Sequence, residues 1–159
     1  LHHESEYLRS WAIQLLAEES HPSVNALQQF AAMAKSDTSA LVRLYLASAL
    51  QRTPPENRWD IISALYQHGE DSTDHNLPLM YWYALEPMVE KDMNKAIDLA
   101  ITAAIPRTIE YTIHRVAAIN NEASKKALTD LSQKLSASQN KHKYHEALMI
   151  IADALKKNK

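Results

Sequence analysis

Apolar side chains recur every three or four residues along almost the whole chain. Short clusters of Pro, Asn, Asp, Ser and Thr interrupt them at intervals that suit helices of roughly 12 to 16 residues. The pattern predicts nine helices. The first runs from about Glu4 to Glu19, with Leu8, Trp11, Ala12, Leu15 and Leu16 forming its expected buried face. The second runs from about Pro22 to Lys35, and its proline suits a first helical turn. Asp37 and Thr38 supply short side-chain oxygens for the start of the third, which continues to about Arg52. Thr53-Pro54-Pro55-Glu56 opens the fourth, whose buried side carries Trp59, Ile61, Ile62, Leu65 and Tyr66.

The polar run from His68 to His75 is expected to be an exposed connection. Beyond it the pattern predicts helices at about Leu77 to Met88, Met93 to Ala103, Pro106 to Ile119 and Glu122 to Ser136. A polar link, Ala137 to Asn140, precedes a closing helix from about Lys141 to Lys156.

Composition narrows the fold class. The chain has 159 residues and one glycine, Gly69. Hairpins, dinucleotide-binding turns and phosphate loops need glycine where φ is positive, so they lose most of their support. Valine appears only at Val24, Val42, Val89 and Val116, whereas good helix formers fill the segments between the prolines.

The sequence also repeats. Leu8-Arg9-Ser10-Trp11 to Leu16 aligns with Val42-Arg43-Leu44-Tyr45 to Leu50 at an offset of 34 residues, and Trp82 and Tyr111 continue the aromatic position more weakly. Two helices per 30 to 40 residues is the period of a helical solenoid, because one helix pair cannot cover its own apolar face. The expected architecture is all-α: a right-handed α-solenoid of about four antiparallel helix pairs with a C-terminal closing helix, forming a single domain. The first helices of the pairs are expected on the convex side and the second helices on the concave side.

Asp37-Thr38-Ser39-Ala40-Leu41-Val42-Arg43 resembles the second signature of a HEAT repeat, a capping aspartate followed by a Val-Arg pair. The segments from Val42 to Leu65, Asn76 to Pro87 and Ile105 to Ala117 resemble the HEAT-like region of large bacterial proteins described as membrane-bound dehydrogenases or haem-binding proteins. The likeness covers roughly Leu8 to Ala117. In that family, the resemblance implies, a propeller like those of sugar dehydrogenases precedes the helical region and a cytochrome-c-like domain follows it. It also implies an exported, periplasmic setting, on which the sequence itself is silent. The chain contains no cysteine, so a Cys-x-x-Cys-His haem motif is impossible here, as are disulfides and zinc-thiolate sites. Any redox chemistry would belong to the missing domains, and no cofactor is expected in these residues. The opening at Leu1 suggests a piece of a longer protein.

A net charge of −2 and a pI near 6.5 offer no pull toward phosphate backbones, and no apolar run is long enough to span a bilayer. Nucleic acid and membrane insertion are therefore not expected. The expected partner is another protein or a neighbouring domain of the same polypeptide.

Several residues stand out. Arg9 and Arg43 occupy one repeat position, where an arginine reaches a neighbouring acid or helix-end carbonyls, and Asp37 is the nearest acid. Trp11, Tyr45 and Trp82 are expected to fill the spaces between repeats. Tyr81-Trp82-Tyr83 could form a sugar-stacking platform, but successive helical residues diverge by about 100°, which favours a packing role. Glu86 and Pro87 are expected to shape or end their helix. On the second helices, Gln28, Gln29, Arg58, Asp60, Lys95, Asp98, Lys125 and Asp130 form the expected mixed-charge interaction surface.

Among eight histidines, His142 and His145 share a helix face but lack a third ligand, and Asp71, Asp74 and Asn76 lack the spacing of a calcium loop. No serine sits in a nucleophile elbow. The reading is therefore a non-catalytic scaffold, which the resemblance implies would link a propeller to a cytochrome-c-like domain, with a carbohydrate-binding module as the alternative and a free-standing hydrolase third.

Overall fold

The structure, a computed structural model, describes residues 1–18, 21–139 and 141–157. The expected helix end at Glu19 and the link residue Asn140 lie outside them. The described residues contain nine α-helices and three short 3-10 helices, and no strand. The helices are α1 (Glu6–Ala17), α2 (Val24–Ser36), α3 (Ala40–Leu50), α4 (Trp59–Leu65), α5 (Leu77–Val89), α6 (Met93–Thr102), α7 (Arg107–Ile119), α8 (Glu122–Ser136) and α9 (His145–Lys157).

Capping residues set most of these boundaries. Ser23 and Ser39 accept from the amides of Ala26 and Val42 through their hydroxyls. Asp37 is thus not the cap of α3; its Oδ1 accepts from the Ser39 amide at 3.0 Å and leaves the capping to Ser39. Asp74 accepts from the amides of Asn76 and Leu77 at the start of α5, which holds its carboxyl below the ordinary value. Asn121 and Ser124 form a reciprocal capping box for α8. Asn120 ends α7 with φ of 47°, a left-handed conformation that asparagine tolerates better than most residues.

The chain falls into two compact units. The first comprises Leu1–Leu85 with Ala103–Ile105, and the second Glu86–Thr102 with Pro106–Lys159. In the first, α1 packs along α3 and α2 along α4, while α3 also touches α2 and α4. Phe30, Leu46, Leu50, Ile62 and Leu65 are fully buried between them. The Ala104 amide donates to the Tyr66 carbonyl at 2.8 Å, which ties the short Ala103–Ile105 segment into this unit. In the second unit α7 is central, touching α6, α8 and α9, and Ile113, Val116, Leu131 and Ile151 fill the space.

Two local expectations change. The run from His68 to His75 is not simply an exposed connection: Gly69–Thr73 forms a 3-10 helix and Asp71 within it is buried. Pro87 does not end α5, which continues to Val89. The missing amide at Pro87 removes the bond that the Tyr83 carbonyl would accept inside a regular helix.

The largest reversal concerns α1. It buries a narrow strip of Ser10, Ile13 and Ala17, three and four residues apart, in which the short side chains of Ser10 and Ala17 flank Ile13 and suit the packing of α1 on α3. Tyr7, Leu8, Trp11, Leu15 and Leu16 are instead 45% to 65% exposed. Helical periodicity places all these apolar positions on α1 but does not say which of two apolar strips faces inward.

Truncations separate the two faces. Ile13→Ala is expected to lower the unfolding free energy by about 2–4 kcal/mol, and Leu8→Ala by no more than about 0.5 kcal/mol. Urea denaturation measures both. Equal losses would mean that the outer strip is covered.

Candidate interaction site

One polar device occurs twice in the first unit. Arg9 Nε and Nη2 donate to the two carboxylate oxygens of Asp37 at 2.7 and 2.9 Å, and its Nη1 donates to the carbonyls of His3 and Glu4. Thirty-four residues on, Arg43 Nε and Nη2 donate to the two oxygens of Asp71 at 2.7 and 2.5 Å, and its Nη1 donates to the carbonyl of Asp37. Both arginines thus reach an acid 28 residues ahead and a carbonyl six residues behind. A planar fork suits this task, because two parallel donors fix the angle as well as the distance.

The two copies differ in burial. Side chains of Arg43 and Asp71 are each 3% exposed, whereas those of Arg9 and Asp37 are 16% and 8% exposed. Asp71 accepts a third bond, from the Tyr81 hydroxyl at 2.6 Å, and the Tyr81 ring meets Tyr66 edge-on at 5.6 Å between centroids. Burial and the bond to Asp71 push the Tyr81 phenol far above its ordinary value, so it stays protonated and donates.

At Asp37, burial opposes ionisation. Bonds from Arg9 and from the Ser39 amide, with the charges of Arg9 and Arg43, outweigh it and hold the carboxyl below its ordinary value. The bonds to Asp37 and Asp71 raise Arg9 and Arg43.

The aromatic expectations shift by one residue. Tyr81, not Trp82, is fully buried; Trp82 and Tyr45 are half-buried, and Tyr83 is exposed. Trp11 points outward for the reason given for α1. Glu86 lies 3.4 Å from Arg115, which also pairs with Glu90, and Pro87 is exposed.

The expected second-helix surface is partly overturned. Arg58 is buried and donates to the carbonyls of Thr53 and Ala84 at 2.7 and 3.2 Å. It gathers carbonyls beyond the end of α3 and within α5, which removes it from any surface, and burial lowers its affinity for its proton. Gln28 and Asp60 are exposed, and Gln29 lines a shallow hollow of about 340 Å³ beside Arg9 and Asp37. In the second unit Lys95 is exposed, Asp98 pairs with Lys134, Lys125 with Glu122 and Asp130 with Lys126. Such solvated pairs contribute little to stability.

A larger groove opens on the first helices instead. It has a volume of about 470 Å³, and its lining comes from Gln14 and Ala17 of α1, Leu44, Tyr45, Ser48 and Ala49 of α3, Arg52, Asn76, and Leu79, Met80 and Tyr83 of α5. The size falls in the range of ligand and side-chain pockets. Arg52 is the single charged residue of the lining, and it makes no ion pair among the described residues. No histidine or carboxylate lines the groove, so its chemistry is an apolar floor with one cationic lip and several neutral hydrogen-bonding groups. Among the described residues no three His, Cys, Asp or Glu side chains group as metal ligands, and no helix is long and apolar enough to cross a membrane.

The alignment that joined Arg9 to Arg43 also joins Asp37 to Asp71. Asp71 was therefore accessible from the same 34-residue offset, although its polar neighbours read as a loop. Tyr81 carries no comparable signal, since its role depends on where Asp71 lies.

Arg43→Met is expected to cost about 3–5 kcal/mol, because it leaves a buried carboxylate unpaired; Arg9→Met is expected to cost about 1–2 kcal/mol. Guanidinium denaturation checks this ranking, and an equal cost would contradict it. Asp37 also sets a pH dependence. Its folded value is depressed, so its contribution is complete above the unfolded value and is lost as pH falls through the folded one. The stability difference between the natural chain and Asp37→Asn is expected to be constant near neutrality and to shrink below about pH 4. A difference independent of pH from 3 to 7 would rule this out.

Compared with protein-family models, curated proteins and solved structures, the chain finds no match in any of the three.

Proposed function

We propose that this chain is a non-catalytic helical-repeat module of HEAT-like helix pairs, which serves as a docking surface for another protein or for neighbouring domains. The observation that carries this reading is the arginine–aspartate device at Arg9–Asp37 and Arg43–Asp71, which recurs with the 34-residue period of the sequence. A polar link between successive helix pairs suits a stack of repeats, in which each pair contacts only its neighbours. The packing of α1 on α3 and of α2 on α4 is in keeping with such a stack. The groove supports a docking role, because its lining combines apolar area with hydrogen-bonding groups but holds no acid–base pair. The resemblance of Leu8 to Ala117 extends the proposal to a parent protein in which the module joins a sugar-dehydrogenase-like propeller to a cytochrome-c-like domain outside the cytoplasm.

A second reading has its own observation. Tyr7 and Trp11 lie four residues apart on one face of α1 and are both exposed, an arrangement that could stack on sugar rings. Leu8 and Leu15 beside them offer no hydrogen bonds to hydroxyls, which makes protein the better fit.

Site-specific photo-crosslinking in the source cell tests the docking role. A photoreactive residue at Ser48 or Tyr83 in the groove, or at Gln28 or Asp60 on the second helices, is expected to capture one defined polypeptide, from the groove positions above all. An absence of any defined adduct from all four positions would count against the module. Saturable quenching of tryptophan fluorescence by an oligosaccharide, lost in Trp11→Phe, would favour the carbohydrate reading.

A further inference from the structure

The exposed strip of α1 has a counterpart inside the same unit. Shifted by 34 residues, Tyr7, Leu8, Trp11, Leu15 and Leu16 become Leu41, Val42, Tyr45, Ala49 and Leu50. All five counterparts are apolar and are buried or half-buried. The neighbour that lies along their helix is α1 itself: α1 packs on α3, and Gln14 and Ala17 of α1 line one groove with Tyr45 and Ala49. The inner strip of α1, Ser10, Ile13 and Ala17, is thus a template for whatever fits this kind of face.

From this we infer that the outer face of α1, formed by Tyr7, Leu8, Trp11 and Leu15, is a repeat-docking face whose occupant is a further helix pair, lying against α1 as α1 lies against α3. The inference rests on the repeat reading and names the partner of that stack. The occupant's contact helix carries a strip like that of α1, short side chains on either side of one aliphatic residue at three- and four-residue spacing, because the face it meets is made of large ones.

A second copy of this chain meeting α1 with its own α1 does not fit. Either direction of approach sets Trp11-sized side chains against one another rather than large against small. The ladder also changes at this end. His3 stands at the repeat position of Asp37, and its Nδ1 accepts from the Ser5 amide as the Asp37 carboxylate accepts from Ser39. The occupant therefore docks through apolar contact, without the guanidinium–carboxylate clamp used between α1 and α3.

Duplication of the template tests this on the full chain. A second copy of residues 3–36, fused directly ahead of His3 in place of Leu1 and His2, presents the template strip to the original α1 in register. Trp59, Trp82 and the added Trp11 are replaced by Phe, so that the original Trp11 is the sole reporter.

The extended chain is expected to melt several degrees higher, with acrylamide quenching of Trp11 reduced at least about two-fold and its emission shifted to the blue. Leu8→Asp in the original segment is expected to abolish the gain in melting temperature. His3→Asp in the original segment, which restores the acid that the added arginine can grip, is expected to raise it further. A peptide of residues 3–36 with its own Trp11 replaced by Phe, added in trans to the chain bearing the Phe replacements at Trp59 and Trp82, provides a second arm that does not depend on the fusion folding, and saturable protection of Trp11 is expected there too.

Unchanged quenching of Trp11 in both arms would overturn the proposal. So would a dimer of the natural chain that Trp11→Asp dissolves, which would assign the face to a second copy. Both results leave the crosslinking test of the groove untouched, so the docking face and the module stand or fall separately.

Discussion

The first unit is organised around the carboxylate of Asp71. Two oxygens accept from the guanidinium of Arg43 and the hydroxyl of Tyr81, away from water, and join α3, the 3-10 helix at Gly69–Thr73 and α5. A charge in that position is costly unless its partners are fixed, because desolvation is large and is offset only by well-aligned bonds. The arrangement therefore specifies geometry more than it adds stability. A helix or a loop displaced by an ångström leaves an unpaired ion. The apolar core alone imposes no such penalty, since hydrophobic contact has no preferred direction.

Seen this way, the arginines divide by task. Arg9 and Arg43 grip carboxylates and tie α1 to the turn before α3, and α3 to the 3-10 helix before α5. Arg58 grips carbonyls alone and closes the turn between α3 and α4 onto α5. Arg115 lies between Glu86 and Glu90 at a more exposed position in the second unit. No third copy of the clamp follows: in the register that puts Trp82 at the aromatic position, Met80 stands where a third arginine would and Thr108 where its acid would. The weak continuation of the repeat through Trp82 and Tyr111 has the same cause: the aromatic position persists while the polar device does not.

Helix number and approximate boundaries were legible because they depend on period and punctuation, which are local. Which apolar strip of α1 turns inward was not. Ser10 and Ala17 look like the weaker strip by hydrophobicity, and they win by shortness, a property that matters only against the surface of α3. Asp71 looked like loop because its neighbours are Gly69, Glu70, Ser72 and Asp74, and local composition reports the neighbours rather than the partner. Arg58 looked like surface for a similar reason: its acceptors, the carbonyls of Thr53 and Ala84, belong to the backbone, which no residue alphabet records. The charged residues of the second helices were easier to place, since solvated side chains need no partner to determine their position.

The clamp gives the polar stretch between α4 and α5 an unusual relation to changes in chain length. Surface loops rich in Gly, Asp and Ser ordinarily accept insertions and deletions at little cost. Here the stretch places a buried acid at a fixed count of 28 residues from its arginine. A residue added or removed between them must be absorbed without moving Asp71, in the turn after α3 or at the end of α4. In related chains, length variation should therefore collect beyond Asp71, before Leu77, and the count from arginine to acid should be kept even where the residues in between have changed.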